Sequence, residues 1–329
     1  MVELMQMQIR LMERSDVPQV VVLWNEEAME YHYQPFSVES FIAKFFEHDY
    51  YIAELLLVGV IDSEIVAFAA GCIGEDLPLG NVAGYITTVI GRRDRMQLHH
   101  YDALVQQLEQ CFRERGKKQA DILFFNPMKL AWNMPTVPSH EHNNAPGIDR
   151  AMPFYSTLKK RHYVERAMQC GMYLALGNFV IPEDILQKEQ QAYAKGYAIT
   201  MYKQAQHTGL EAMLQALNNE QWLNDVTRHA REAVPLVVAI QNDRCVGFAG
   251  PIVRESNGRA FFSGIGVHPD HEGHGLGSIL FFKMIEAFQQ ASCQYVTLFT
   301  GSNNPAIRIY TKAGFRVEKQ FAILRKELS

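Results

Sequence analysis

Apolar and polar positions along this chain recur at two periods, and the order in which those periods change outlines the fold. In the C-terminal half, residues 198–205 (AITMYKQA) alternate as a strand does. Residues 208–232 follow with helical spacing, interrupted at Asn218-Asn219. PLVVAIQN and RCVGFAGPIV read as two strands turning at Asn242-Asp243, and GRAFFSGIGV as a third ending at Val267. Beyond a glycine-rich loop, Leu276, Ile279, Leu280, Lys283, Met284, Ala287 and Phe288 recur at helical spacing. One face of that helix therefore packs on a sheet, with Lys283 at its margin. The strand YVTLFTGS, the helix NPAIRIYTKAG stopped by Gly314, and the strand FRVEKQFAILRKEL complete the order β-α-β-β-β-α-β-α-β.

The N-terminal half repeats this order in blurred form. QIRLMER is a strand, DVPQVVVLWNEEAMEY a helix, LLLVGVID and EIVAFAAGCI two strands turning at Asp62-Ser63. AGYITTVI, a helix from about His100 to Arg115, ADILFFN, a helix around FYSTLKKR, and YVERAMQCGMYLAL follow. A tandem duplication is the economical explanation, and two copies are too few for a fixed-period repeat array. Val89 to Leu158 spans 69 residues where Val267 to Tyr310 spans 43, so the first copy carries 26 more. That excess corresponds to 127–150, a Pro-, Asn- and His-rich stretch without periodicity, expected to be an ordered, function-bearing loop. The expected domains are 1–176, a linker at 177–197 containing a short helix, and 198–329.

The 329 residues suit two ordinary domains, and 48% hydrophobic with 20% charged residues is a globular composition. No segment approaches 18 uninterrupted apolar residues, and the start shows no apolar signal region, so a cytoplasmic protein without a membrane partner is expected. Five separated cysteines with no CxxC pair argue against both disulfides and a zinc ribbon. A formal net charge of -5 argues against a nucleic-acid partner and for a small ligand. His140-Glu141-His142 offers no third ligand, so no metal is expected, and hydrogen bonding within the loop is the leading reading. His99-His100 are expected to face solvent at a helix start.

The chemistry concentrates in VHPDHEGHGLGS, where a strand ends and a helix begins with Gly273, Gly275 and Gly277 spaced by two. Glycines there let the backbone approach a diphosphate, and the free N–H groups of the first helical turn point at it. The spacing fits neither GxxxxGK[ST] nor GxGxxG. With NNPAIRIYTKAGF downstream, this strand-loop-helix resembles the two hallmark motifs of the GNAT superfamily of N-acetyltransferases. The resemblance covers 198–329 at full motif strength, through Glu272-Gly273-His274-Gly275-Leu276-Gly277 and then Asn303, Ala306, Tyr310, Gly314 and Phe315. It implies an α/β (α+β) fold of two tandem GNAT-like domains, each a mixed, mostly antiparallel sheet flanked by helices.

The resemblance also implies acetyl-CoA as co-substrate and direct transfer of its acetyl group to a small amine. The loop from Glu272 to Ser278 would hold the pyrophosphate, with Leu276 at the helix start. Glu272 stands where the family has Gln or Arg and is expected to turn outward, while His274 either meets a phosphate or is exposed. Backbone groups at Ile265 and Val267 would hold the acyl-pantetheine, Asn303 would bind near the pantetheine arm, and Tyr310 would protonate the departing thiolate. The family's frequent glutamate base is replaced by Ser263, so the base is Ser263 through a water, His268, or a first-copy group such as Glu141 or His142. On the same alignment Gly273, Gly275 and Gly277 correspond to Arg95, Gln97 and His99, and Tyr310 to Leu158. Ala151 stands at the Asn303 position and His162 at that of Gly314. The first copy is therefore expected not to bind CoA. A non-catalytic acyl-CoA sensor is the alternative function, a tandem aminoacyl-tRNA-dependent ligase a more distant one. The chain is expected to be a monomer or a homodimer.

Overall fold

The computed structural model describes residues 7–123 and 125–328. The chain forms two compact units. The first contains β1(Gln8–Leu11), α1(Val17–Glu27), α2(Val38–Phe45), β2(Leu56–Ile61), β3(Glu64–Cys72), β4(Ala83–Gly91), α3(Leu98–Glu114) and β5(Gln119–Ile122). An insertion follows with the hairpin β6(Trp132–Met134) and β7(Val137–His142) and the short β8(Ile148–Asp149). Helix α4(Pro153–Lys160) and strand β9(Val164–Ala175) end the first copy. Strands β1 to β4 pair antiparallel in chain order, and β4 pairs β5 in parallel. Asp62 and Ser63 turn β2 into β3 with φ of 51° and 66°, as the turn signal predicts.

The second copy begins with α5(Glu183–Ala194), β10(Tyr197–Met201), α6(Leu210–Ala216), α7(Glu220–Arg231), β11(Val237–Gln241) and β12(Arg244–Gly250). It continues through β13(Val253–Arg254), β14(Arg259–Phe261), β15(Gly264–Val267), α8(Leu276–Gln290), β16(Tyr295–Gly301), α9(Ile307–Lys312) and β17(Arg316–Glu327). The interruption read at Asn218-Asn219 is the α6–α7 boundary. Asn218 has φ 52°, and the Asn219 carboxamide accepts from Trp222 N at 3.0 Å, capping α7. Segment 177–197 contains α5, which belongs to the second unit and contacts α8 through the Lys283–Glu189 ion pair of 3.1 Å. His162 and Gly314 both take left-handed backbone after their helices, at φ 66° and 95°. The duplicated helix stop thus survives where its glycine does not.

The compact units are not the contiguous halves expected from the sequence. From Val317 onward the chain belongs to the first unit, where β17 pairs antiparallel with β5 (Leu324↔Ile122) and with β8 (Phe321↔Asp149). Periodicity identifies a strand but not its partner, and here charge completes the choice. Arg325 holds Asp121 at 2.9 Å, Lys326 holds Glu109 at 2.9 Å, and the buried Lys319 ion-pairs with buried Asp149. Glu109 is fully buried and also receives Arg161 at 2.7 Å and the Tyr163 hydroxyl at 3.1 Å. Burial alone would raise its pKa, but the hydrogen bonds from Arg161 and Lys326 win and hold it below the ordinary value. Its stabilising contribution is therefore present above the unfolded carboxylate pKa and lost as pH falls through the folded value. Glu109→Gln leaves two half-buried cations underpaired around a buried position, and a loss of about 3 kcal/mol is expected in denaturant unfolding. An unchanged midpoint would contradict it.

Two further expectations change. His100 is buried, not solvent-facing, with Nδ1 accepting from Gln97 N at 3.1 Å. The insertion is not an aperiodic loop throughout, since β6 and β7 give it a hairpin with buried Trp132 and Met134.

Candidate active site

The strand expected over 258–267 breaks in two. Strand β14 pairs β16 in parallel at Arg259↔Tyr295 and Ala260↔Val296, the chain diverges at Phe262-Ser263, and β15 pairs β12 antiparallel. That leaves β15 at the edge of the sheet β10-β11-β12-β15. His268 N donates to Val246 O at 2.8 Å, and Gly266 and Gly264 continue that register opposite Phe248 and Gly250. Backbone groups alternate in such a ladder, so those of Ile265 and Val267 face the open edge. Glycines at 264 and 266 allow α7 and the end of α6 to lie against this strand. A Cβ at Gly264 would stand 2.4 Å from Trp222, and one at Gly266 2.4 Å from Leu217. Trp222 Nε1 donates to Ser263 O at 3.0 Å, fixing the helix to the break in the strand. Gly264→Ala is expected to displace Trp222, red-shifting the intrinsic fluorescence and lowering the melting temperature by several degrees. An unchanged spectrum and midpoint would show that the helix is not seated on the glycine.

The loop after β15 is shaped by its glycines. Gly273 and Gly275 have φ of 78° and 76°, where an L side chain is strained, and Gly275 caps α8. A Cβ at Gly273 would meet nothing within 4 Å, and one at Gly277 only Val267 Cγ2 at 3.9 Å. The space in front of the first turn of α8 is thus open to a ligand, with Leu276 buried behind it and Ser278 half-buried. Glu272 is exposed, away from the protein interior. His274 is half-buried, with its ring 5.2 Å from that of buried Tyr197, whose hydroxyl lies 3.1 Å from His271 Nδ1. The histidines brace the loop. A cation that the motif does not contain comes from α5, where Lys188 Cδ lies 4.0 Å from the position of a Gly275 Cβ. Lys188 lies outside the glycine motif, so spacing could not point to it.

Tyr310 is the fourth residue of α9. It packs in the second unit against Phe281 of α8 at 5.2 Å and Phe315 at 6.1 Å. Burial raises its pKa above the ordinary tyrosine value of 10, so the phenol stays protonated at neutral pH. Ser263 Oγ is 3.4 Å from the Asp225 carboxylate of α7, a weak hydrogen bond. Asp225 is one-third exposed and has Arg228 at 3.6 Å. Sequence reasoning missed it because the helical period marks only that α7 has a polar face. His268 is tied through Nδ1 to Asp270 N at 3.2 Å. Asn303 is exposed in the turn after β16, a segment that falls with the first unit, and Asn304 makes the turn's bond to Ala306 N. Glu141 accepts from Gln34 at 2.6 Å, and buried His142 lies over Phe299, so both are engaged within the first unit. Among the described residues no group of three His, Cys, Asp or Glu side chains is placed to hold a metal ion.

The corresponding region of the first unit is closed. Parallel pairing of β4 and β5 ends at Tyr85↔Asp121, and Thr87, which aligns with Ile265, gives its carbonyl to the Asn126 carboxamide at 2.7 Å. Asn126, one residue before the insertion, thus occupies the backbone position left open in the second unit. At the glycine-loop position, Arg92, Arg93 and Arg95 are neutralised by Glu26, Glu27, Glu30, Asp62 and Glu64 at 2.8 to 3.2 Å.

An open β15 edge leading into a glycine-capped helix defines the class. The family model of the acetyltransferase (GNAT) family matches residues 196–315. Among solved structures, a GCN5-related N-acetyltransferase from Sphaerobacter thermophilus is similar over 98% of this chain and 96% of its own, at 17% identity and TM-score 0.61. A fungal GCN5-related glucosamine N-acetyltransferase region, within a multi-domain GH3 beta-N-acetylglucosaminidase, matches 98% of this chain and 38% of its own, at 12% identity and TM-score 0.62. A tandem GNAT protein from the clavulanic acid biosynthesis pathway matches 98% and 99%, at 13% identity and TM-score 0.54. These likenesses are of fold, and they span both copies, giving two tandem GNAT-like domains. No curated protein matches the chain. Among the described residues no helix is long and apolar enough to cross a membrane.

Proposed function

We propose that the chain is an acetyl-CoA-dependent N-acetyltransferase acting on a small amine through its second domain. The observation that carries this reading is the open glycine cradle at the N-terminus of α8 beside the unpaired edge of β15. A diphosphate fits there because Gly273, Gly275 and Gly277 leave the room that side chains would fill, and the helix start offers N–H groups and a positive dipole end. Lys188 adds the cation that Glu272, in the family's Gln or Arg position, does not. Its removal is expected to weaken acetyl-CoA binding about threefold to tenfold, an effect that shrinks at high salt. A loss independent of ionic strength would show that Lys188 acts through packing alone.

Acetyl-CoA, when bound, supplies an acetyl thioester that a neutral amine can attack. Ile265 and Val267 hold the acyl-pantetheine through backbone groups at the strand edge, where N–H donors oriented in advance stabilise developing oxyanion charge. Asp225, with Ser263 beside it, takes the proton released as the amine nitrogen bonds to the acetyl carbon. Tyr310 gives its phenolic proton to the sulfur as the carbon–sulfur bond breaks. Asp225→Asn is expected to lower kcat/KM about 100-fold with a smaller loss at high pH, where the amine arrives deprotonated. A loss equal at all pH values would remove the proton from its role. Thiol release from acetyl-CoA in the presence of an amine panel tests the function. Amine-dependent release supports it, and tight acetyl-CoA binding without turnover on any amine would favour a sensor.

A further inference from the structure

Three histidines, His268, His271 and His274, lie in and just before the glycine loop, and two of them meet on one buried ring. Tyr197, the first residue of β10, is buried, with its ring 5.8 Å from that of His271 and 5.2 Å from that of His274. Its hydroxyl is 3.1 Å from His271 Nδ1, and the His268 and His271 rings are 5.7 Å apart. Among the described residues His274 Nδ1 is buried with no hydrogen-bond partner, a polar atom that the loop itself leaves unsatisfied. A cavity of about 270 Å³, bounded by Met213, Arg244 and Asp270, reaches His268 and His271, so water and protons have access to both. The fixed charges around these rings cancel. Arg244 of β12 and Lys188 of α5 bring two cations, and Asp270 and Glu272 of the loop bring two carboxylates. Other charges on the neighbouring helices are paired, Lys283 with Glu189 at 3.1 Å and Lys312 with Asp184. The net charge of the loop around neutral pH is therefore set by its histidines. Burial first, and then His268, holds the His271 pKa below the ordinary histidine value, against the pull of Asp270 and with smaller contributions from His274 and Arg244. An anion in front of the loop favours the protonated ring and raises that pKa.

We infer that the loop takes up a proton when it binds a diphosphate, with His271 the main site of uptake, so that acetyl-CoA binds more tightly as pH falls below neutrality. The inference rests on the placement of the cofactor's diphosphate at the start of α8 in the transferase reading. Its sign follows from linkage. Protonation stabilises the complex, so the gain is complete below the pKa of the free loop and is lost as pH rises through the higher pKa of the complex. In turnover the KM for acetyl-CoA then falls toward acid pH, while the acceptor amine, increasingly protonated, attacks less readily. The two slopes oppose each other.

The test is calorimetric titration of the full chain with dephospho-CoA, in buffers of different ionisation enthalpy. This probe lacks the 3′-phosphate, and its diphosphate does not titrate between about pH 6 and pH 8. An uptake of about half a proton near pH 6.5 is expected, with affinity about threefold higher at pH 6 than at pH 8. His271→Gln, which keeps a polar partner for the Tyr197 hydroxyl, should lose most of the uptake and bind equally at both pH values. Binding without uptake, or uptake undiminished in the variant, would overturn the inference and leave the transferase reading standing. No binding at any pH would overturn both. Uptake by the wild-type chain decides the question by itself should the variant not fold.

Discussion

Gly277→Trp abolishes acetyl-CoA binding and leaves the fold intact; this is the largest effect expected from a single substitution. Gly277 is the right position because its backbone does not need a left-handed conformation and its Cβ would meet only Val267 Cγ2 at 3.9 Å. An indole there projects into the space a diphosphate would take, while the sheet and the buried face of α8 are untouched. Gly273 or Gly275 would be poorer choices, since any side chain at φ of 78° or 76° adds roughly 1–2 kcal/mol of backbone strain and confuses binding with folding. Calorimetry for binding and a melting curve for the fold separate the two effects. Retained affinity with an unchanged melting curve would mean that the pyrophosphate lies elsewhere.

Tyr310→Phe lowers kcat by two to three orders of magnitude with little change in the KM for acetyl-CoA. The substitution keeps the ring in contact with Phe281 and Phe315 and removes only the proton that sulfur needs. The raised pKa adds a pH signature. A group whose pKa lies above the ordinary tyrosine value stays protonated past pH 10, so wild-type kcat does not lose its acid at or below that pH. Equal turnover in the two proteins would remove Tyr310 from the chemistry. A wild-type rate that falls near pH 8 would assign the acid to another group.

Much of the second domain was legible because its signals are local. Gly273 and Gly275 are required by their positive φ and Gly277 by the open space in front of α8, so spacing alone locates the loop, and Asn218 and Asn242-Asp243 mark turns because they tolerate positive φ. What was not legible depends on partners distant in sequence. The final strand has the right period, but nothing within 316–327 says that it pairs with β5 and β8; Lys319, Arg325 and Lys326 acquire that meaning only from Asp149, Asp121 and Glu109. Asp225 and Lys188 were invisible for the same reason, since each is an ordinary polar residue on a helix until the fold brings it to Ser263 or Gly275. His274 could be read two ways because a histidine in a loop has no period, and its packing on Tyr197 could not be seen. The 127–150 segment was visible as an excess of length. That Asn126, one residue before it, would close the first unit's strand opening was not.

The central claim is that one of the two copies retains a cofactor cradle while the other is closed by Asn126 and by its arginine–carboxylate pairs. The stoichiometry of acetyl-CoA binding to the full chain, measured by calorimetric titration, tests it most directly. One site per chain is predicted; two sites, or none, would contradict the account.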